Sequence, residues 1–278
     1  MQDLGYYNGK VAPLNEMTVP MNDRACYFGD GVYDAAYSRR YRIFALEEHI
    51  RRFFRNAESI GIRIPMGKQE LFALLNELVR KVDTDENFVY FQVSRGTERR
   101  RHDYTEREGN LWVMITPRKI DESDGKATCI TVEDTRFLHC NIKTLNLLPS
   151  VLAAQKAKEA GADEAIFHRG GRVTECSHCN VHILQNGTLI TPPADHLILA
   201  GVGRAHLMRA AAQFGMEVVE RPFSVQEMLL ADEIMLTSAG IPCKGVGKID
   251  GVAVGGKDAA RLQDIKNYLC EEFNEETR

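Results

Sequence analysis

The spacing of apolar and polar positions predicts short strands interrupted by a few amphipathic helices. Leu46 to Ile60 and Glu70 to Val82 repeat apolar residues at intervals of three and four, the period of a helix. Apolar runs with β-branched and aromatic residues predict strands at Phe88 to Ser94 and Leu111 to Thr116. Asn8-Gly9, between two further runs, predicts a hairpin turn. The first part of the chain therefore mixes helices and strands.

The second half of the chain shows the same mixture of periods. Ser150 is a candidate cap for a helix that runs to Ala160, and Arg204 to Phe214 and Asp258 to Phe273 are two further predicted helices. Strands are predicted there at Ala127 to Val132, Glu164 to His168, Val181 to Leu184, Leu189 to Thr191 and Glu233 to Leu236, with a hairpin from Pro242 to Val254. A further strand, Val32 to Tyr37, is predicted in the first part of the chain. We therefore predict an α/β (α+β) fold.

Polar, turn-forming residues from Pro117 to Lys126 separate the two halves. The chain has 278 residues, and a single core tends to split into two beyond about 250 residues. We predict a small N-terminal α/β domain over residues 1–118, a linker over residues 119–126, and a larger C-terminal domain over residues 127–278.

The composition narrows the class of protein. Hydrophobic residues make up 44% of the chain and charged residues 27%, which are ordinary globular values. A net charge of −4 gives no electrostatic support for binding nucleic acid or a membrane surface. No apolar run approaches the roughly 20 residues of a membrane span, and the start lacks the basic residues of a signal peptide. With seven scattered cysteines that fit free thiols, we expect a cytoplasmic protein.

Lys143 stands out because apolar residues surround it in the segment His139 to Leu148, which follows a strand-like stretch. Burial disfavours the ammonium form of a lysine and lowers its pKa, so the amine becomes a nucleophile for a carbonyl carbon. A lone lysine at a strand end is also an ordinary surface residue. The other candidate residues decide between these two interpretations.

Three further features bear on Lys143. Glu175 lies among small and apolar residues before a strand, so its carboxylate needs a cationic partner. Arg52 lies on the apolar face of the first long helix and either pairs with an anion or extends to water. Two turns of small residues, 199–204 and 237–240, offer backbone N–H groups suited to a phosphate.

A basic loop at residues 95–102 joins two predicted strands. Arg100 and His102 lie two positions apart in it, so in extended backbone both side chains point to one side and suit a single carboxylate. A solvated hairpin tip is the alternative. Tyr33, at the start of its strand, either faces a pocket or is a half-buried strand residue.

An imine-forming amine, a carboxylate that needs a cation and two phosphate-binding turns are what pyridoxal 5′-phosphate (PLP) requires. A metal site is the competing hypothesis, because Cys176, Cys179 and His182 have ligand-like spacing with His178 between them. On a strand, however, Cys176 and Cys179 point to opposite faces, and no second ligand pair has a clear spacing. We therefore expect no metal.

The chain resembles the fold-type IV (class IV) PLP enzymes, which include branched-chain aminotransferases, aminodeoxychorismate lyases and D-amino-acid aminotransferases, and it is most similar to the last group. The resemblance covers nearly the full length. Its most specific stretches are Phe28 to Tyr33, Tyr90 to Thr97 with Arg100 and His102, Ile142 to Leu148, and Val173 to Val181. It implies a small α/β domain followed by a larger pseudo-barrel domain, in a homodimer.

By this resemblance, Lys143 is the Schiff-base lysine and moves the proton at the substrate α-carbon. Glu175 pairs with the pyridine nitrogen, and Tyr33, Arg100 and His102 clamp the substrate α-carboxylate. The other cofactor-binding residues that it implies are Arg52 at the phosphate, Leu199 against the ring, and Val202, Gly203, Ser238 and Ala239 in the phosphate-binding turns.

The chain departs from the family pattern near the cofactor. Gly203 stands where threonine is common, which removes a hydroxyl hydrogen bond worth about 1 kcal/mol. Cys176, His178 and Cys179 replace mostly glycine and serine, and Ala239-Gly240 differs from the usual threonines. These departures bear on cofactor affinity and on side-chain preference.

The resemblance implies a transaminase that moves the amino group of a D-amino acid such as D-alanine to 2-oxoglutarate, giving pyruvate and D-glutamate for the cell wall. Small-molecule amino acids and 2-oxo acids are then its partners. An L-branched-chain aminotransferase and an aminodeoxychorismate lyase are the alternatives within the family. A protein that merely binds a metabolite or a metal is the non-enzyme alternative.

Overall fold

The computed structural model describes residues 1–278, which form two compact units. The first unit comprises residues 1–119, 142–146 and 274–278, and the second comprises residues 120–141 and 147–273. A short segment around Lys143 and the C-terminal residues thus group with the N-terminal part of the chain. None of the helices has the length and apolar character needed to cross a membrane.

A six-stranded antiparallel sheet forms the first unit. The strands pair in the order β2-β1-β6-β5-β3-β4. Their bounds are β1 Leu4–Tyr7, β2 Lys10–Ala12, β3 Gly31–Arg39, β4 Arg42–Ile43, β5 Asn87–Ser94 and β6 Asn110–Pro117. The predicted hairpin turn between β1 and β2 is confirmed, since Asn8 and Gly9 have the positive φ angles, 45° and 94°, that such a turn requires.

Three helices accompany this sheet: α1 (Arg24–Phe28), α2 (Leu46–Ser59) and α3 (Lys68–Val79). The apolar face of α2 on which we placed Arg52 is confirmed as the buried face, because Arg52 is buried together with its neighbours His49, Phe53 and Asn56. Helix α1 was not predicted from the sequence, since five residues are too few to show a helical period. Its N-terminus is fixed by the carboxylate of Asp23, which accepts a hydrogen bond from Ala25 N.

A nine-stranded mixed sheet forms the second unit. Its main path is β12-β11-β10-β13-β14-β7-β8-β9, with β15 paired to β14. The bounds are β7 Ala127–Glu133, β8 Glu164–Arg169, β9 Arg172–Cys176, β10 Asn180–Gln185, β11 Thr188–Thr191, β12 Val218–Glu220, β13 Glu233–Ser238, β14 Ile241–Ile249 and β15 Val252–Ala253. The pairs β7–β8, β7–β14 and β11–β12 are parallel, and the other pairs are antiparallel.

Four helices complete the second unit: α4 (Leu148–Glu159), α5 (Val202–Gln213), α6 (Val225–Leu230) and α7 (Ala259–Glu276), whose last residues group with the first unit. The predicted cap at Ser150 is wrong. Helix α4 begins two residues earlier with Pro149 in its first turn, where proline is favoured, and Ser150 lies buried inside the helix. Helix α5 begins at Val202 rather than at Arg204, which brings Val202 and Gly203 into its first turn.

Candidate active site

Lys143 is held by backbone pairing to the start of β3. Tyr33 N donates a hydrogen bond to Lys143 O at 2.9 Å, Leu145 N donates to Gly31 O at 3.1 Å, and Thr144 forms an isolated bridge with Val32. Strand β7 ends at Glu133, well before the lysine, so the position at a strand end that we expected is not found. The pairing to β3 gives Lys143 its fixed place.

The amine of Lys143 lies over an aromatic stack. Its Nζ is 4.3 Å from the centroid of the Tyr33 ring, a cation–π distance, and Tyr33 stacks on Tyr90 with the centroids 5.3 Å apart. The Tyr90 hydroxyl donates to Gln92 Oε1 at 2.7 Å, and burial, with Tyr33 adding to it, raises the pKa of Tyr90. Lys143 itself is half-buried, which is less than the full desolvation that the sequence predicted.

Arg52 is 6% exposed and pairs with an anion rather than extending to water. Its Nε and Nη2 donate to Asp34 Oδ2 and Oδ1 at 2.8 and 2.7 Å, and His49 Nδ1 lies 2.8 Å from Asp34 Oδ1. Burial acts to raise the pKa of Asp34, but Arg52 and His49 outweigh it and hold the pKa below its usual range. The pKa of His49 is lowered, by burial first, against the opposing effect of Asp34.

Glu175, at the end of β9, carries a carboxylate whose hydrogen bonds fix its position. It is 6% exposed and accepts from Arg136 Nη1, from Asn180 Nδ2 at 3.1 Å and from Leu199 N at 3.1 Å. Arg136 also donates to Asp134 at 2.9 Å. Burial acts to lower the pKa of Arg136, but Asp134 and Glu175 raise it above its usual value. The cationic partner that we expected for Glu175 is therefore Arg136, within the protein.

The two predicted phosphate-binding turns lie against each other in the second unit. A Cβ atom built on Gly203 would be 3.0 Å from the carbonyl oxygen of Ser238, so the first turn of α5 touches the end of β13. The first N–H groups of a helix have no intrahelical acceptor. Val202 and Gly203 supply such groups beside the turn of Ser238 and Ala239, an arrangement suited to an anion.

His182 links Thr191, which Arg204 of the first turn contacts, to Thr237 of the second turn. It is fully buried, with Nδ1 3.0 Å from Thr191 Oγ1 and Nε2 2.9 Å from Thr237 Oγ1, while Arg204 Nε donates to the same Thr191 oxygen at 3.2 Å. Burial, with Arg204 adding to it, lowers the pKa of His182 to about 3. The ring is therefore neutral at physiological pH and uses both nitrogens on threonines.

His182 cannot serve as the third ligand of the metal site that we considered, because both of its ring nitrogens are hydrogen-bonded to threonines. Our argument about Cys176 and Cys179 was nevertheless wrong. The two lie across the turn from β9 to β10, where Cys176 N donates to Cys179 O at 2.8 Å, and their thiols interact. Burial raises the pKa of Cys176 to about 12, which keeps the thiol protonated. No group of three or more His, Cys, Asp or Glu residues is arranged to hold a metal ion.

Arg100 and His102 lie exposed in the loop between β5 and β6, next to the same aromatic ring. Arg100 Cζ is 5.1 Å from the centroid of Phe28, and the His102 ring is 5.4 Å from it. The two side chains thus lie on one side of the loop, as their spacing predicted. Tyr33 contacts Lys143 and not this loop in the contacts that the structure shows.

Comparison with known proteins identifies the family. A family model described as amino-transferase class IV matches residues 31–249. The chain belongs to the class IV aminotransferases. The D-alanine aminotransferase of Listeria innocua serovar 6a is 38% identical over 273 residues, which cover 96% of this chain and 94% of that protein. The resemblance seen in the sequence is confirmed.

Solved structures share the fold of this class IV chain. The branched-chain aminotransferase of Thermoproteus uzoniensis with norvaline has a TM-score of 0.90 at 22% identity, covering 98% of this chain and 95% of that one. The branched-chain amino acid aminotransferase from Escherichia coli has a TM-score of 0.89 at 20% identity, covering 100% of this chain and 96% of that one. The predicted fold class is confirmed.

Proposed function

We propose that this class IV chain is a PLP-dependent transaminase that moves the amino group of a D-amino acid such as D-alanine to 2-oxoglutarate. The products are pyruvate and D-glutamate, and supply of D-glutamate for the cell wall is the proposed role. The observation that carries the proposal is the amine of Lys143, fixed through backbone pairing to β3 and set 4.3 Å from the Tyr33 ring centroid. Relatives named D-alanine aminotransferase support the D-amino acid as substrate.

The residues present fit PLP at both of its polar ends. Glu175 has the chemistry to hold the pyridine nitrogen, since three donors from Arg136, Asn180 and Leu199 fix its carboxylate. The adjoining turns around Gly203 and Ser238 have the backbone N–H groups that a phosphate needs. Arg52, Val202, Ala239 and the side chain of Leu199 complete the proposed cofactor-binding set. When bound, PLP supplies an electron sink for the bond that breaks at the substrate α-carbon.

Lys143 is the proposed acid and base. Its Nζ would take the α-hydrogen of the amino acid as a proton and deliver it to the bound cofactor, and it would carry a proton in the opposite direction, to the α-carbon, in the half-reaction with the 2-oxo acid. The face of Tyr33 stabilises the ammonium form after the proton has been taken. The backbone bonds to Gly31 and Tyr33 keep the amine in place through both steps.

Handedness follows from where the α-carboxylate is held. We propose that Arg100 and His102 bind it together, since both side chains lie against Phe28 and both carry N–H groups. Tyr33, which contacts Lys143 and not this loop, is the third proposed member by the family resemblance alone. With the carboxylate fixed on one side and Lys143 on one face of the cofactor, only one enantiomer presents its α-hydrogen to the amine. The clamp therefore selects one configuration.

A half-reaction assay on the purified holoenzyme tests this function. D-alanine and L-leucine are added separately without a 2-oxo acid, and the absorbance of the bound cofactor reports conversion to its amine form. We expect rapid conversion by D-alanine and at most slow conversion by L-leucine. Conversion by L-leucine alone would establish the branched-chain alternative. Release of pyruvate from aminodeoxychorismate without an acceptor would establish the lyase.

We also propose that the enzyme is a homodimer built on the outer face of α4. This helix packs its small residues Ala153 and Ala157 inward, while Leu148, Val151 and Leu152 are 68%, 60% and 55% exposed. An apolar face of this kind is unusual on a monomeric protein, and a two-fold dimer is the commonest way to bury one. A second copy of the chain is therefore the proposed occupant.

Two further parts of the prediction stand as proposals. The cytoplasm is the proposed compartment, because all seven cysteines are free thiols, which suits a reducing environment. Cell fractionation followed by immunoblotting tests it. The division into domains at residues 1–118 and 127–278 is tested by limited proteolysis, with cleavage expected in the linker over residues 119–126.

A further inference from the structure

Arg24 is a buried cation that the proposed chemistry does not use. It is the first residue of α1 and only 3% exposed, so its five N–H groups need acceptors within the protein. One acceptor is Asp30 Oδ2, at 2.8 Å from Nε. A second carboxylate, Glu98, lies 3.9 Å from Nη1, beyond hydrogen-bond distance, so the remaining donors need other acceptors.

Those donors go to the backbone of the loop that carries Arg100 and His102. Nη1 donates to Arg101 O at 2.8 Å and to Asp103 O at 3.3 Å, and Nη2 donates to His102 O at 3.3 Å. One guanidinium thus binds three consecutive carbonyl groups. An exposed loop with no secondary structure of its own gains a fixed course at this point, because hydrogen bonds from a charged donor are stronger than those from a neutral one.

Helix α1 supports the side chains of the loop as well as its backbone. Arg24 and Phe28 are four positions apart on α1 and share a face, with Arg24 Cζ 4.9 Å from the centroid of Phe28. The same ring contacts Arg100 and His102. The ring therefore packs against both clamp residues, and Arg24 holds the backbone between and after them.

Asp30, the carboxylate that pairs with Arg24, is itself held in place. Asp30 is shared by Arg24 and by Arg95, whose Nε donates to it at 2.9 Å. Arg95 is 7% exposed, and its guanidinium stacks 3.8 Å from the ring centroid of Tyr104. Arg24 is therefore anchored to a set of paired charges on one side and to the backbone of the exposed loop on the other.

From this geometry we propose that Arg24 is a positioning residue for substrate recognition: it holds the loop so that Arg100 and His102 present their donors together to the substrate α-carboxylate. The proposal rests on the function proposed above, in which those two residues bind the carboxylate. Arg24 makes no contact with substrate in this role. Its effect passes through the backbone of residues 101–103.

The test compares Arg24→Met with Arg24→Lys in the reconstituted holoenzyme. For Arg24→Met we expect KM for D-alanine to rise about 10- to 100-fold while kcat changes less than about threefold, because the carboxylate is misplaced in binding and the amine of Lys143 is unaffected. Arg24→Lys keeps the charge and part of the hydrogen bonding, so its KM lies between. Arg99→Met, an exposed residue of the same loop, is the control that leaves both constants unchanged.

A substrate without a carboxylate separates positioning from general damage. D-alaninol has the same carbon skeleton as D-alanine but a hydroxymethyl group instead of the carboxylate. We expect Arg24→Met to leave the rate of the D-alaninol half-reaction unchanged. When Arg24→Met is combined with Arg100→Ala, we expect KM for D-alanine to rise less than about twofold above that of Arg100→Ala alone. The proposal would be overturned if Arg24→Met impaired the reactions of D-alanine and D-alaninol equally, or if its effect on KM for D-alanine were fully additive with that of Arg100→Ala.

The proposed function has its own separate outcome. If Arg100→Ala and His102→Ala leave KM for D-alanine unchanged, the carboxylate clamp itself is wrong. If they raise KM and the Arg24 variants do not, only the positioning role is wrong. Should Arg24→Met fail to fold, Arg24→Lys, which keeps the buried charge, takes its place, and the same comparison of D-alanine with D-alaninol decides the question.

Discussion

At the scale of single residues, buried charges near the candidate site lie in small groups of paired side chains. Asp34 binds Arg52 and His49, and Arg136 binds Asp134 and Glu175, while Asp134 also binds Arg169. Burying one such charge alone costs several kcal/mol, and a partner at hydrogen-bond distance offsets most of that cost. Each side chain in these groups is therefore held in one orientation, which is what recognition of a rigid cofactor requires.

His182 gives a prediction about stability against pH. Its pKa in the folded chain is about 3, against about 6.5 in an unfolded chain. Between these values the unfolded chain binds a proton that the folded chain does not, so stability is complete above pH 6.5 and is lost as the pH falls. We expect His182 to contribute a loss of about 2 kcal/mol between pH 7 and pH 5, measured by urea unfolding.

The variant His182→Gln isolates that contribution. Glutamine retains hydrogen bonding to the threonines but does not titrate, so the variant is less stable at pH 7 and loses less stability on acidification than the parent chain. The buried His49, whose pKa is also lowered, contributes equally to both proteins and cancels in the comparison. His196→Gln, at an exposed position, is the control. Parallel pH curves for the parent and His182→Gln would contradict the assignment.

Residue types and spacing marked Lys143, Glu175 and the pair Arg100 and His102 as candidates, and the family resemblance gave them their proposed roles. Their partners were not predictable in the same way. Arg136 lies 39 residues from Glu175, and Asp34 lies 18 residues from Arg52. No local period links such pairs, because α2 meets β3, and the segment after β7 meets β9, only in the folded chain. The sequence showed that Glu175 needs a cation and left open which residue supplies it.

At the scale of elements, the start of α5 packs directly against the end of β13. Gly203 approaches the Ser238 backbone so closely that a Cβ atom would lie 3.0 Å from one Ser238 atom and 3.3 Å from two others. A hydrogen-bond network that runs from Arg204 on α5 through Thr191 and His182 to Thr237 on β13 also connects the two elements. Gly203 is therefore more than a missing hydroxyl group, since its small size permits this contact.

This contact predicts the effect of Gly203→Thr, which introduces the residue common at this position in the family. The added Cβ pushes α5 and β13 apart, and in this chain the displacement outweighs the gain of a hydroxyl hydrogen bond. We expect about tenfold weaker binding of PLP to the apoenzyme, measured by fluorescence titration. Gly125→Ala, where a Cβ meets no atom within 4 Å, is the control. Tighter binding of PLP by Gly203→Thr would contradict this prediction, because it would show that α5 and β13 accommodate the added side chain without loss of affinity.

At the scale of the whole molecule, the chain order and the compact units do not coincide. Residues 142–146 belong with the first unit although residues on both sides of them belong to the second. A prediction from sequence divides a chain where its composition changes, as at the polar stretch before Lys126, and it has no means to assign a five-residue segment elsewhere. The longer helices and strands were predictable from their periods, whereas the short helices α1 and α6 were not. The grouping of residues 142–146 with the first unit depends on their backbone hydrogen bonds to β3, which no period shows.

The outer face of α4 carries the last prediction, which concerns assembly. If this face joins two copies, the purified enzyme has twice the chain mass of 31.3 kDa in light scattering. Leu148→Glu combined with Leu152→Glu places two carboxylates in the apolar contact of each copy and is expected to give monomers, because their desolvation costs several kcal/mol. Leu230→Glu, which changes a residue that is 62% exposed on α6, leaves the dimer intact. A dimer that survives the double substitution would place the interface on another face of the chain.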